Sequence, residues 1–174
     1  MTDVDISILE PAWEDASPNC DAIVQSAVTA ALELCPVAQK LIGNGVEMEI
    51  SIVLAHDALV QELNREYRDK DKPTNVLSFA QLDGDDGWAE PTGPGPCALG
   101  DLILAYETVE REAREENKPF EHHLTHLVIH GILHLLGYDH IDDDEAEEME
   151  SLEIQILKRL SITDPYKIRE NDEE

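Results

Sequence analysis

The pattern of apolar and polar residues along the chain predicts four β-strands. VDISILEP alternates and ends in proline, and VEMEISIVLAH, which follows the glycine-rich turn LIGNGVE, alternates over a longer run. Strict alternation is typical of a strand with one buried face. Two shorter apolar segments, NVLSFAQ and LGDLILAYE, are also assigned to strands.

A helical apolar period predicts five helices. Asp57 is predicted to cap the second helix, and the fourth is predicted to have Pro119 near its start and Gly137 at its end. Asp142 and Glu145 are spaced as a variant of the capping box at the start of the fifth. The five segments are SPNCDAIVQSAVTAALELC, DALVQELNREY, ETVEREAREEN, KPFEHHLTHLVIHGILHLLG and DDDEAEEMESLEIQILKRL.

The predicted order of elements is βαβαββααα, which indicates an α+β fold. We expect a single domain over residues 1–174, with a four-stranded mixed sheet packed by about five helices. Residues 82–98 are rich in Gly, Pro and Asp and are predicted to form an exposed, mobile loop insert within a strand pair. Residues 165–174 are predicted to be an acidic tail.

Composition indicates a soluble globular protein. The chain has 174 residues, 42% of them apolar, which suits one sizeable core. No run approaches the roughly 20 apolar residues that span a bilayer, and the acidic N-terminus does not resemble a signal peptide. The three cysteines form no CxxC pair, as in proteins of a reducing compartment. We therefore expect a cytoplasmic protein with no membrane partner.

The formal net charge of -27 argues against nucleic-acid binding when it is considered alone. The basic residues are unevenly distributed, however, because four of the 12 lie between Arg65 and Lys72. A local basic strip on an acidic protein is therefore compatible with the composition.

Three of the seven histidines lie in the stretch HGILHLLGYDH. His130 and His134 are four residues apart on a predicted helix, so their rings project from one face. Gly137 can end the helix and reverse the chain, which lets His140 supply a third nitrogen. Three protein ligands with an open fourth position are typical of a catalytic zinc site. We therefore expect one Zn²⁺ ion, although three imidazoles also suit nickel, cobalt or copper.

The same helix carries His122, His123 and His126, which we expect to be surface groups or groups that hydrogen-bond to the metal ligands. Asp139 is expected either to accept a hydrogen bond from a histidine N–H or to stabilise the turn.

The histidine spacing matches the long zinc metalloprotease motif, but Gly131 stands where that motif has its general-base glutamate. The glycine weakens the peptidase interpretation. It either leaves the metal face uncrowded or allows helix and sheet to pack closely.

A second unusual segment, NREYRDKDKPTNVLSF, places basic residues on a loop that leads into a strand. Arg68 can donate a bidentate pair of hydrogen bonds to a phosphate, and Lys70 and Lys72 add positive charge for a nucleic-acid backbone. A solvated helix end is the alternative interpretation.

In order along the chain, YRDKDKPTNVLSF, LGDLILA and HLVIHGILHLLGYDH resemble the YbeY family of bacterial endoribonucleases, over roughly residues 45 to 160. The resemblance implies a metal-dependent endoribonuclease that is specific for single-stranded RNA. It implies action in ribosomal RNA processing, notably at the 3′ end of small-subunit RNA, and in ribosome quality control. It also implies zinc held by His130, His134 and His140, and Arg68 as the functional arginine. The implied partners are ribosomal RNA, the ribosome and ribosomal proteins.

Two other hypotheses remain at this point. The histidine spacing supports another metallohydrolase, a peptidase, and Gly131 opposes it. A non-enzymatic ribosome-associated factor with a structural metal is the other, because the acidic last helix could contact basic ribosomal proteins.

Overall fold

The computed structural model describes residues 2–166, and the predicted acidic tail lies outside this range from residue 167 onward. The strands, in chain order, are β1 (Thr2–Ile8), β2 (Val46–Ala55), β3 (Val76–Ala80), β4 (Asp83–Gly84), β5 (Gly87–Trp88) and β6 (Gly95–Ala105). The helices are α1 (Ala12–Ala16), α2 (Cys20–Leu34), α3 (Pro36–Gly43), α4 (Asp57–Arg68), α5 (Tyr106–Glu115), α6 (Phe120–Leu135) and α7 (Asp143–Arg159).

The main sheet has four strands in the order β1-β2-β6-β3. The first two pairings are parallel and β3 pairs antiparallel with β6, so the sheet is mixed. The predicted α+β fold and its four-stranded mixed sheet are confirmed. Two short helices, α1 and α3, are present in addition to the five predicted.

Each face of the sheet buries a separate apolar cluster. Met48 and Ile52 on β2 and Leu102 on β6 point into the larger cluster, which contains the apolar faces of α2, α6 and α7. Ile103, the next residue along β6, points to the opposite face and joins a smaller cluster with Val60 of α4. This alternation follows from the two-residue period of a strand, and it places α6 at the centre of the larger layer.

The segment 82–98 contains regular structure that composition did not predict. It includes the short antiparallel hairpin of β4 and β5 and the first residues of β6. Trp88, at the end of this hairpin, is only partly exposed. The hairpin therefore packs onto the domain through this side chain.

Helix ends follow the predicted chemistry with one correction. The side chain of Asp142 accepts a hydrogen bond from the Glu145 backbone N–H at 2.8 Å, as predicted for the start of α7. The predicted cap of α4 is wrong: His56 is the N-cap, and its Nδ1 accepts from the Leu59 N–H. Asp57 instead accepts hydrogen bonds from the backbone and hydroxyl of Thr108, which ties α4 to α5.

Within residues 2–166, no single helix has both the length and the apolar composition for a membrane span; the bent pair of α2 and α3 meets that test jointly, with an 80° turn between the two helices.

Candidate metal centre

The three predicted ligands come together at the C-terminal end of α6. His130 and His134 lie one turn apart on the helix, and His140 lies in the segment that follows its end. One nitrogen from each ring can be chosen so that all three atoms lie within 4.8 Å of one another. Within the described residues, no other His, Cys, Asp or Glu joins this group.

Gly137 makes the return of the chain possible. Its φ of 95° is left-handed, as predicted, and the N–H of Tyr138 donates back to the Leu133 carbonyl at 3.0 Å. Because glycine has no Cβ, this conformation carries little steric cost. The reversal places His140 next to the two helical histidines.

Hydrogen bonds fix the tautomers of both helical histidines. Nδ1 of His134 lies 3.0 Å from the Tyr138 carbonyl oxygen, which can only accept, so this nitrogen carries the proton. Nδ1 of His130 lies 2.6 Å from Oε1 of Glu153 and likewise donates to an ionised carboxylate. In both rings Nε2 is therefore left with a free lone pair.

The pKa shifts agree with this assignment. Burial lowers the pKa of His134 to about 4, and the neighbouring His130 adds to this effect, so the ring is neutral at neutral pH. Burial by itself raises the pKa of Glu153, but its hydrogen bonds and charge interactions with His126 and His130 outweigh burial. The pKa of this carboxyl consequently lies well below its usual range, and Glu153 is an anion.

The geometry fits a metal ion. The Nε2 atoms of His130 and His134 face each other at 3.0 Å, so two lone pairs repel unless a cation lies between them. Two nitrogens bound to one zinc ion at about 2.0–2.1 Å in a tetrahedron are about 3.3 Å apart. A slight opening of the pair would satisfy that distance. Three nitrogen donors suit zinc, nickel, cobalt or copper, and they leave a coordination position open.

Arg68 and the metal centre share one groove of about 1100 Å³. Arg68 is the last residue of α4; its Nη2 donates to the Ser78 carbonyl at 2.7 Å, and its guanidinium lies 5.5 Å from the centre of the Phe79 ring. Lys70 and Lys72 line the same groove. The structure therefore brings the predicted basic strip and the three histidines to one surface.

The sequence did not predict the role of Glu153. This residue belongs to α7, 23 residues after His130 in the chain, and it is 1% exposed. Its signal in the sequence is a carboxylate on the apolar face of a helix, between Leu152 and Ile156. An acidic residue at such a position requires a buried partner.

The other histidines of α6 differ from one another. His122 is exposed, as expected. His126 is mostly buried, and its Nε2 lies 3.5 Å from Oε1 of Glu153. His123 is neither a surface residue nor bonded to a metal ligand, which corrects the prediction, because it is buried and its Nε2 lies 2.9 Å from Oε1 of Glu112.

Two open alternatives are decided by contacts. A Cβ at Gly131 would lie 2.7 Å from Cδ2 of Leu102, so this glycine allows α6 to pack closely on β6 and does not open a space beside the three histidines. Oδ1 of Asp139 accepts the backbone N–H of His140 at 2.8 Å. Asp139 therefore stabilises the turn.

Comparisons with known proteins identify the family to which this chain is similar. The family model described as Endoribonuclease YbeY matches residues 12–161, a wider range than the motifs alone indicated. The protein of that name from Paramagnetospirillum magneticum is 51% identical over 165 residues, which cover 94% of this chain and 95% of the relative. The protein of the same name from Bradyrhizobium diazoefficiens is 48% identical over 162 residues, which cover 93% of this chain and 84% of the relative. A solution structure from Thermotoga maritima is 25% identical, covers 92% of each chain and has a TM-score of 0.49.

Proposed function

This chain belongs to the Endoribonuclease YbeY family, and from that premise we propose that it is a zinc-dependent endoribonuclease that cleaves single-stranded RNA. Its proposed role is ribosomal RNA processing, at the 3′ end of small-subunit RNA, together with ribosome quality control. The proposed partners are ribosomal RNA, the ribosome and ribosomal proteins.

The observation that carries the proposal is the three-histidine cluster in the same groove as Arg68. A bound zinc ion would supply a Lewis acid for phosphodiester hydrolysis. His130, His134 and His140 would hold the zinc ion. The hydrogen bonds at Nδ1 of His130 and of His134 place the ring proton on the side away from the ion.

Arg68 would bind the scissile phosphate. A guanidinium has five N–H donors in a planar fork, and the hydrogen bond to the Ser78 carbonyl uses only Nη2. Donors that remain can stabilise charge that develops on the phosphate oxygens. Lys70 and Lys72 would add positive charge for the flanking RNA backbone.

The peptidase alternative loses support. Its general-base glutamate would stand at position 131, where Gly131 is packed against Leu102. The alternative of a structural metal would require a fourth protein ligand, and among residues 2–166 the cluster has three.

The test measures metal content and cleavage of single-stranded RNA on the same samples of wild type, His134→Ala and His122→Ala. His122 is an exposed histidine on the same helix and serves as the matched control. We expect about one zinc ion per chain and RNA cleavage for wild type and His122→Ala, and the loss of both for His134→Ala. Zinc binding without cleavage of free or ribosomal RNA would contradict the proposal. A cyclic phosphate at the product ends would identify the RNA's own 2′-hydroxyl as the nucleophile.

A further inference from the structure

Glu153 is an acidic side chain in the apolar interface between α6 and α7. It is 1% exposed, and its neighbours on the buried face of α7 are Met149, Leu152, Ile156 and Leu157. A buried carboxylate destabilises a fold strongly unless it is paired and hydrogen-bonded. Packing alone gives no reason for an acid here, so its contacts indicate its role.

Both carboxylate oxygens of Glu153 are engaged. Oε1 accepts from Nδ1 of His130 at 2.6 Å and lies 3.5 Å from Nε2 of His126. Oε2 accepts from the hydroxyl of Tyr166 at 2.6 Å. These hydrogen bonds hold the carboxylate from two sides, with a metal-ligand candidate on one side and the C-terminal segment on the other.

We propose that Glu153 positions His130 for metal binding and that Tyr166, in turn, holds Glu153. The hydrogen bond at Nδ1 fixes the proton on the side of the ring away from His134 and orients the Nε2 lone pair toward it. A carboxylate at this position also makes the imidazole a stronger electron donor. The inference rests on the proposed metal-dependent function and adds two residues that support the site without touching the metal.

The hydrogen bond from Tyr166 connects the segment after α7 to the metal centre. Pro165 and Tyr166 line the groove, and the Tyr166 ring lies 5.9 Å from the His126 ring, edge to face. Tyr166 lies beyond residues 12–161, which the family model matches. Metal affinity in this protein should therefore depend on a segment that contains no ligand.

The chain offers a matched control for this pair. Glu112 and His123 form a similar carboxylate–histidine contact at 2.9 Å, and His123 lies on the same helix as His130. Neither residue belongs to the three-histidine group. Removal of this second carboxylate tests whether any such pair in the domain affects metal binding.

The experiment measures the zinc dissociation constant by competition with a chelator, and the visible spectrum of the Co²⁺-loaded protein. We expect Glu153→Gln to weaken zinc binding about 10- to 100-fold and to shift the Co²⁺ absorption bands. Tyr166→Phe should weaken zinc binding less but in the same direction, and Glu112→Gln should leave both measurements within about twofold of wild type. Wild-type zinc affinity and an unchanged Co²⁺ spectrum for Glu153→Gln would overturn the inference.

Circular dichroism of the metal-free variants separates positioning from folding. If Glu153→Gln does not fold, Tyr166→Phe becomes the test, because it removes only one hydroxyl group. Wild-type zinc affinity in Tyr166→Phe would then overturn the inference. RNA cleavage on the same samples keeps the two proposals separate. If Glu153→Gln binds zinc more weakly and the wild type does not cleave RNA, the nuclease proposal is contradicted, and the proposal that Glu153 positions His130 is supported.

Discussion

The indole Nε1 of Trp88 donates a hydrogen bond of 2.9 Å to the backbone carbonyl of Leu135, 47 residues later in the chain. Leu135 is the last residue of α6, where carbonyl groups lack helical partners. The indole also covers Gly137, since a Cβ there would lie 2.8 Å from Cδ2 of Trp88. The 82–98 segment thus supports the turn that brings His140 to the other two histidines.

The first prediction concerns this hydrogen bond. Trp88→Phe keeps an aromatic ring but removes the donor, so we expect the free energy of unfolding to fall by about 1 kcal/mol and zinc binding to weaken. Trp13→Phe is the control, because the Trp13 indole also donates to a carbonyl, that of Ala55 at 2.8 Å, far along the chain from the metal ligands. Urea denaturation and chelator competition should show lower stability in both variants and weaker zinc binding in Trp88→Phe alone.

The second prediction concerns the turn itself. Gly137→Ala places a Cβ against Trp88 and in a left-handed conformation, so we expect a loss of about 1–3 kcal/mol in stability and weaker zinc binding. Gly43→Ala is the matched control, because a Cβ at Gly43 meets no heavy atom within 4 Å. Similar stability and zinc affinity for both variants would show that the turn tolerates a side chain.

The third prediction concerns Gly131, the glycine next to His130. Gly131→Ala forces a methyl group against Leu102, which is fully buried, and overpacking of this kind costs about 1–3 kcal/mol. The double variant Gly131→Ala, Leu102→Ala should lose less stability than the sum of the two single variants, because the smaller side chain makes room for the methyl group. Thermal unfolding measures the stability of each variant. If the loss in the double variant equals the sum of the losses in the two single variants, close packing is not the role of Gly131.

The local patterns predicted the sheet and the three-histidine cluster because both depend on short-range spacing. Alternation identified β1 and β2, and the intervals between His130, His134 and His140 describe one helix face and one turn. The helices α1 and α3 were missed because they have 5 and 8 residues, too few to establish a helical period.

The supporting contacts could not be predicted from spacing. Glu153 meets His130 only because α7 packs against α6, and Trp88 reaches Leu135 only because the hairpin folds back over the helix end. His123 likewise pairs with Glu112 across α5 and α6. Each contact joins two segments whose relative placement is set by the core.

The fourth prediction concerns pH. Burial by itself raises the pKa of Glu112, but hydrogen bonds from His123 and Asn75 outweigh it, so the pKa lies below its ordinary value of 4.5. A folded-state pKa below the unfolded value stabilises the fold above about pH 4.5, and this contribution is lost as the pH falls through the folded-state pKa. Glu112→Gln should therefore be less stable than wild type at neutral pH, and the difference should narrow below pH 4.5. Urea denaturation at several pH values measures the stability difference between wild type and Glu112→Gln. A difference that does not change with pH would contradict the pairing of Glu112 with His123.

The fifth prediction concerns Arg68, whose proposed role is to bind the phosphate while the histidines hold the metal. Arg68→Ala should leave the zinc dissociation constant unchanged and lower the rate of RNA cleavage about 10²–10³-fold, the usual effect of losing one donor to a developing anion. Arg68→Lys should recover only part of the rate, since an ammonium group cannot reproduce the planar fork. Arg65→Ala, an exposed arginine one turn earlier on α4 that does not line the groove, should cleave at nearly the wild-type rate. An Arg68→Ala variant that binds zinc and cleaves RNA normally would assign the phosphate to other groups, and Lys70 and Lys72 would be the next residues to replace.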